Sequence, residues 1–199
     1  MFEKLSRFYY NKGLQLAREG QISAAVQNLA KAVSYDRNNI QTWNLAGLCH
    51  YRIGRYKTAE YCWRRSLEQR REENTAGEYL ADLSNALAET APYFSRVASL
   101  CGDKKYKEAA GVLSKEICSR FGLSAALLNY LGVLQALDAQ IHAAAKCWTT
   151  VLSLDKSNAD AKRYLEAVEK RPLYRLGCKL FSWKEKLRES IRKKPDKKE

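Results

Sequence analysis

The chain repeats itself, and that narrows its fold more than any other property. Trp43, Ala46 and Gly47, followed by Gly54, Tyr56, Ala59, Trp63, Ser66 and Leu67, outline two short helices joined by a tight turn. The outline returns 85 positions on as Leu128, Leu131, Gly132, Ile141, Ala144, Trp148, Val151 and Leu152. Helix pairs recurring in this way predict an all-α helical solenoid, because no single pair can bury its apolar face alone.

A shorter offset of 34 lies inside the longer one and aligns Gly13 with Gly47, Ala25 with Ala59 and Leu29 with Trp63. It defines units at 6–39 and 40–73. A third unit, 90–123, keeps Tyr93, Leu100, Tyr106, Ala109, Leu113 and Ile117. It has Val97 where the others have a small residue, and Gly102 precedes Tyr106 by four positions instead of two. The fourth, 125–158, is clean except that Ala139 stands where a turn glycine is expected. Gly13, Gly47 and Gly132 in first helices, and Ala25, Ala59 and Ala144 in second helices, mark where two backbones must approach closely.

These residues closely resemble the tetratricopeptide repeat family, over about residues 6–169. No unit carries the proline that the family usually places at its exit. The resemblance implies a superhelix of about four helix pairs, with first helices lining a concave surface that binds a partner protein. Ala76, Tyr79, Leu80 and Leu83 match Ala161, Tyr164, Leu165 and Val168, again at 85. The duplicated module is therefore two helix pairs plus one helix. The second copy of that helix, 159–169, is expected to cap the stack behind Lys162, Arg163, Glu166 and Glu169. The first copy, 74–89, either stands alone or joins the helix that begins near Pro92. The solenoid is expected to occupy residues 1–169.

With 46% hydrophobic and 29% charged residues the composition is globular. No stretch approaches the roughly 18 uncharged apolar residues of a membrane span, and 1–11 lacks the apolar core of a signal peptide. The cysteines, Cys49, Cys62, Cys101, Cys118, Cys147 and Cys178, are scattered with no CxxC pair. The expectation is a cytoplasmic protein, with a peripheral position at an inner membrane surface as a variant. No catalytic constellation is present. His50 and His142 have no cysteine or acid at metal-ligand spacing, and no phosphate loop follows a strand. A non-enzymatic protein without cofactor or metal is expected.

Helical period places Arg7, Tyr10, Asn11, Leu14 and Arg18 of the first unit on the concave face. From the second come Gln41, Asn44, Leu48, Tyr51 and Arg52, from the third Phe94, and from the fourth Asn129. Asn44 and Asn129 are equivalent under the duplication, and an amide suits an extended peptide backbone. Arg18 and Arg52 are equivalent at the offset of 34, and their forks suit a carboxylate. Tyr10, Leu14, Leu48 and Phe94 add apolar area. Such a cleft fits a peptide or helix with apolar anchors and an acidic group. The family's two-carboxylate clamp for chaperone C-termini is not expected, because Tyr10 and Leu14 stand where its first Lys and Asn would be. Trp63 and Trp148 fall at core positions.

The formal charge is +13, and 170–199 holds twelve Lys and Arg against four acids. Leu173, Leu176, Leu180, Trp183, Leu187 and Ile191 follow Pro172 at helical steps. Arg175, Lys179, Lys184, Lys186, Arg188, Arg192 and Lys193 take the polar side of this basic amphipathic helix. It is expected to dock on the last repeat, to lie on an anionic membrane, or to contact RNA or an acidic protein.

Overall fold

The computed structural model describes residues 2–122 and 124–170. Its elements are helices, with no strand among the described residues. Three hairpins carry the repeat: α1 (Phe2–Arg18) with α2 (Ile22–Tyr35), α3 (Ile40–Ile53) with α4 (Tyr56–Gln69), and α8 (Ala125–Leu137) with α9 (Ile141–Leu154). Between the second and third lie α5 (Ala76–Gly102), α6 (Tyr106–Val112), a π-helical turn (Leu113–Ile117) and α7 (Cys118–Phe121); α10 (Ala159–Glu169) follows α9. Each hairpin packs internally, α2 packs on α3, and α9 on α10, which is solenoid stacking.

The close approaches occur at the small residues. A Cβ on Gly47 would meet Trp63 Nε1 at 2.2 Å, and one on Gly132 would meet Trp148 Nε1 at 2.5 Å. The two indoles lie flat over backbone and are 2% and 3% exposed. Truncating either ring to alanine would cost about 3–5 kcal/mol.

The middle is irregular. Helix 74–89 does not stand alone: it joins the first helix of the third unit as one 27-residue rod, α5, running through Pro92. Proline has no N–H to give, so the Ala88 carbonyl loses its helical donor. Ala88 and Pro92 are both exposed, so water can serve that carbonyl. Within the rod the Thr90 hydroxyl donates to Ala86 O at 2.6 Å. The turn conformation also falls differently from expectation. Gly20 (φ 75°) and Gly54 (φ 84°) are left-handed, and so are Ala139 (φ 60°) and Lys104 (φ 58°). In the third unit Lys104, two positions before Tyr106, does what Gly54 does before Tyr56. Gly102 is only the last residue of α5.

The two ends of the stack meet. Asp155, after α9, is 1% exposed and sits at the N-terminus of α2, 132 residues away. Its carboxylate accepts from the Ser23 amide (3.2 Å) and the Ser23 hydroxyl (2.6 Å). It also accepts from the Ser157 amide (3.2 Å) and hydroxyl (2.7 Å). The Ala24 amide donates to Ser157 Oγ (3.2 Å), and the Lys156 amide to Gly20 O (2.8 Å). Helix α2 has no side-chain cap of its own. Its unpaired first-turn donors are satisfied by the last repeat instead. A second seam runs beside this one. A Cβ on Gly54 would meet Ala126 Cβ at 2.5 Å, Tyr56 and Ser124 share a hydrogen bond of 3.0 Å, and the Tyr56 ring stacks on Phe121 at 4.5 Å.

Candidate partner-binding groove

The first helices of the first two hairpins, α1 and α3, are held together by the cluster of Ile22, Leu29, Trp43, Cys49 and Cys62. Trp43 anchors the start of α3 through Nε1–H to Arg37 O (2.7 Å), and Asn39 caps the helix by accepting from the Thr42 amide (2.9 Å). Between the helices lies a cavity of about 290 Å³ lined by Arg7, Tyr10, Asn11 and Gln41, together with Glu3, Ser6, Asp36 and Asn39. Four residues expected to face a partner thus line one space. Asp36 and Asn39 belong to the turn between α2 and α3. Their place in the lining follows from the turn folding back over α1.

The other expected residues divide. Arg18 and Arg52 are exposed in the last turns of α1 and α3, and Leu48 is 36% exposed. Leu14 is half-buried on α1. Glu3 and Asp36 share the cavity with the basic Arg7, and Arg18 and Arg52 lie in the last turns of α1 and α3. Arg7 and Glu3 come within 3.9 Å, both well exposed, which contributes little to stability.

Asn44 and Asn129 are used internally. The Asn44 amide donates to Asn74 Oδ1 (3.0 Å), which accepts from the Ala76 amide at the start of α5. The Asn129 amide donates to Asn158 Oδ1 (3.3 Å), the cap of α10. The carbonyl oxygen of each is buried. The duplication therefore preserves a brace between a first helix and the start of the helix after its hairpin. Asn129 also borders a cleft of about 480 Å³ between the halves, with Ser23, Arg55, Ser157 and Asp160.

Tyr51 and Phe94 turn towards the central cluster. The Tyr51 ring meets Tyr56 at 5.4 Å and Trp63 at 6.1 Å, and its hydroxyl reaches Phe121 O at 3.5 Å. Burial, with Asp82 adding to it, raises its pKa. Phe94 lies 6.3 Å from Phe121. His50, behind the groove on α3, is pushed down to about 4 by burial and then by Arg55, so it is neutral at physiological pH. Burial lifts the Cys49 and Cys62 thiols to about 11, which makes them inert hydrophobes. Among the described residues no group of His, Cys, Asp or Glu is placed to hold a metal ion, and no helix is long and apolar enough to cross a membrane. The expected surface of Arg175, Lys179, Lys184, Lys186, Arg188, Arg192 and Lys193 lies outside the described residues.

No family model matches the chain, and no curated protein matches it. Among solved structures the chain is similar to MamA 41-end from Desulfovibrio magneticus RS-1, at 18% identity and a TM-score of 0.37, over 96% of this chain and 98% of that one. It is also similar to the MamA RS-1 ArsTM double mutant, at 17% identity and a TM-score of 0.36. Neither likeness bears on what this chain binds.

Proposed function

We propose that the chain is a tetratricopeptide-type adaptor that holds a peptide or helical segment of a partner protein along the inner side of α1 and α3. The observation that carries this reading is the cavity shared by Arg7, Tyr10, Asn11 and Gln41. It offers hydrogen-bonding groups of both kinds beside an aromatic ring. The exposed Leu48 adds an apolar contact. Arg18 and Arg52 supply two guanidinium forks at the far end, where an acidic group of the partner would be held.

The test is affinity capture from the native cell by the full chain and by the double variant Arg18→Glu, Arg52→Glu, read by mass spectrometry. Both arginines are exposed, so the variant should keep its helical signal and lose its partners, with a fall of only a few degrees in melting temperature because glutamate opposes the dipole in a last helical turn. Full retention of those partners refutes the carboxylate contact. Tyr10→Ala probes the cavity end independently.

A further inference from the structure

A neighbouring face of the first hairpin, which shares Glu3, Arg7 and Asn11 with the cavity above, carries a second assignment. Phe2 and Phe8 are 67% and 57% exposed, the most exposed of the large hydrophobic side chains of α1 and α2. They are not loose rings. Phe2 stacks on Tyr35 at 6.2 Å, Tyr9 stacks on Tyr35 at 5.8 Å, and Phe8 meets the edge of Tyr9 at 5.3 Å. Four aromatic rings thus form one continuous, pre-ordered cluster across α1 and the end of α2. Lysines surround it. The Lys31 ammonium sits 5.4 Å from the Tyr9 ring centre. Lys4 and Lys12, both exposed, lie one helical turn to either side of Phe8 on α1. A shallow cleft of about 400 Å³ runs beside Phe8 between Lys4, Arg7 and Asn11. Its one carboxylate, Glu3, is 3.9 Å from Arg7.

We propose that this aromatic–lysine face docks on an anionic lipid bilayer. Exposed phenylalanines have no hydrogen-bonding atom to offer a polar surface, but they fit the boundary between headgroups and acyl chains. Lysines at the level of the rings meet anionic headgroups, each contributing about 1 kcal/mol. Charge argues against the other occupants. A second copy of the chain, paired symmetrically, would set Lys4, Lys12 and Lys31 against the same three lysines. The basic segment 170–199 carries the same sign of charge as the face and would be repelled by it.

Co-sedimentation of the full chain with phosphatidylcholine vesicles, with and without phosphatidylserine, tests the proposal. The wild type should bind only when phosphatidylserine is present. The variant Lys4→Gln, Lys12→Gln, Lys31→Gln should bind about a hundredfold more weakly, each lysine being worth about fivefold. Phe8→Ser should weaken the binding that persists at raised salt, where the lysines are screened. Circular dichroism should show all variants folded, since the altered residues are exposed. Wild-type binding by the triple variant would overturn the proposal, because the binding would then come from residues elsewhere, including 170–199. So would equal binding to both vesicles, or no binding to either. Lysine-dependent retention on single-stranded RNA without vesicle binding, or lysine-dependent dimerisation in sedimentation, would overturn it in favour of those occupants.

Discussion

Replacing Asp155 with asparagine tests whether the two ends of the stack are tied together. The carboxylate accepts five hydrogen bonds, two from Ser23 and two from Ser157 at 2.6–3.2 Å and a longer one from the Asn158 side-chain amide at 3.5 Å. Hydrogen bonds to a charged group contribute about 1.5–3 kcal/mol each. Asparagine keeps one acceptor oxygen and turns an NH2 group towards donors. About half of the set is lost, and the first turn of α2 loses a charge that complements its dipole. The expected cost is about 3 kcal/mol, or roughly 6–12 °C in melting temperature for a chain of this size. Because Ser23 belongs to the first repeat, a double-mutant cycle with Ser23→Ala isolates the contact across the ends. Its coupling should be about 1–2 kcal/mol. Acid titration gives a second reading. Burial alone would raise the Asp155 pKa, but the hydrogen bonds from Ser23 and Ser157 outweigh it and hold the group below the usual carboxylate range. Its contribution is therefore present above the unfolded value of about 3.9 and is lost as pH falls through the lower folded value. The asparagine variant should lack that acid-dependent loss. A coupling energy indistinguishable from zero in urea denaturation would refute the reasoning.

Gly47→Ala and Gly132→Ala should each destabilise by about 1–3 kcal/mol in urea denaturation, since the added methyl falls on a buried indole. Ala139→Gly should raise stability by about 0.5–1 kcal/mol, measured as melting temperature, because glycine relieves a left-handed backbone. His50 is depressed to about 4, so the folded state binds fewer protons than the unfolded state between that value and about 6.5. Stability should therefore fall as pH drops across that window, and His50→Gln should flatten the slope.

Much of the fold is legible because a solenoid is written locally. Gly47 with Trp63 and Gly132 with Trp148 mark the same contact twice, each between helices joined by a short turn. The third unit is harder to read, because Lys104 takes a conformation that composition assigns to glycine and draws attention to Gly102 instead. Pro92 leaves two readings of α5 open, since proline fits a first helical turn as well as a rod whose freed carbonyl faces water. Arg7, Tyr10, Asn11 and Gln41, chosen by helical period on the side that the family resemblance assigns to a partner, line one cavity. Asn44 and Asn129 show the limit of that logic. Periodicity gives their side of the helix, but their amides are taken by Asn74 and Asn158, some thirty residues on. The role of Asp155 is invisible to any local pattern. Asp36 holds the corresponding place in the first unit and accepts the same local amide bond, from Asn38. Only the arrival of α2 from the far end of the chain gives Asp155 its second pair of donors.

Repeat proteins ordinarily gain or lose modules freely, since each neighbours only the next. Here the bond between Gly20 and Lys156 turns a ladder into a hoop. Inserting or deleting one helix pair would carry the last turn away from the start of α2 and leave a carboxylate and several amides stranded. The length of such a chain is no longer free to drift, and a partner held as proposed would meet a curvature already set.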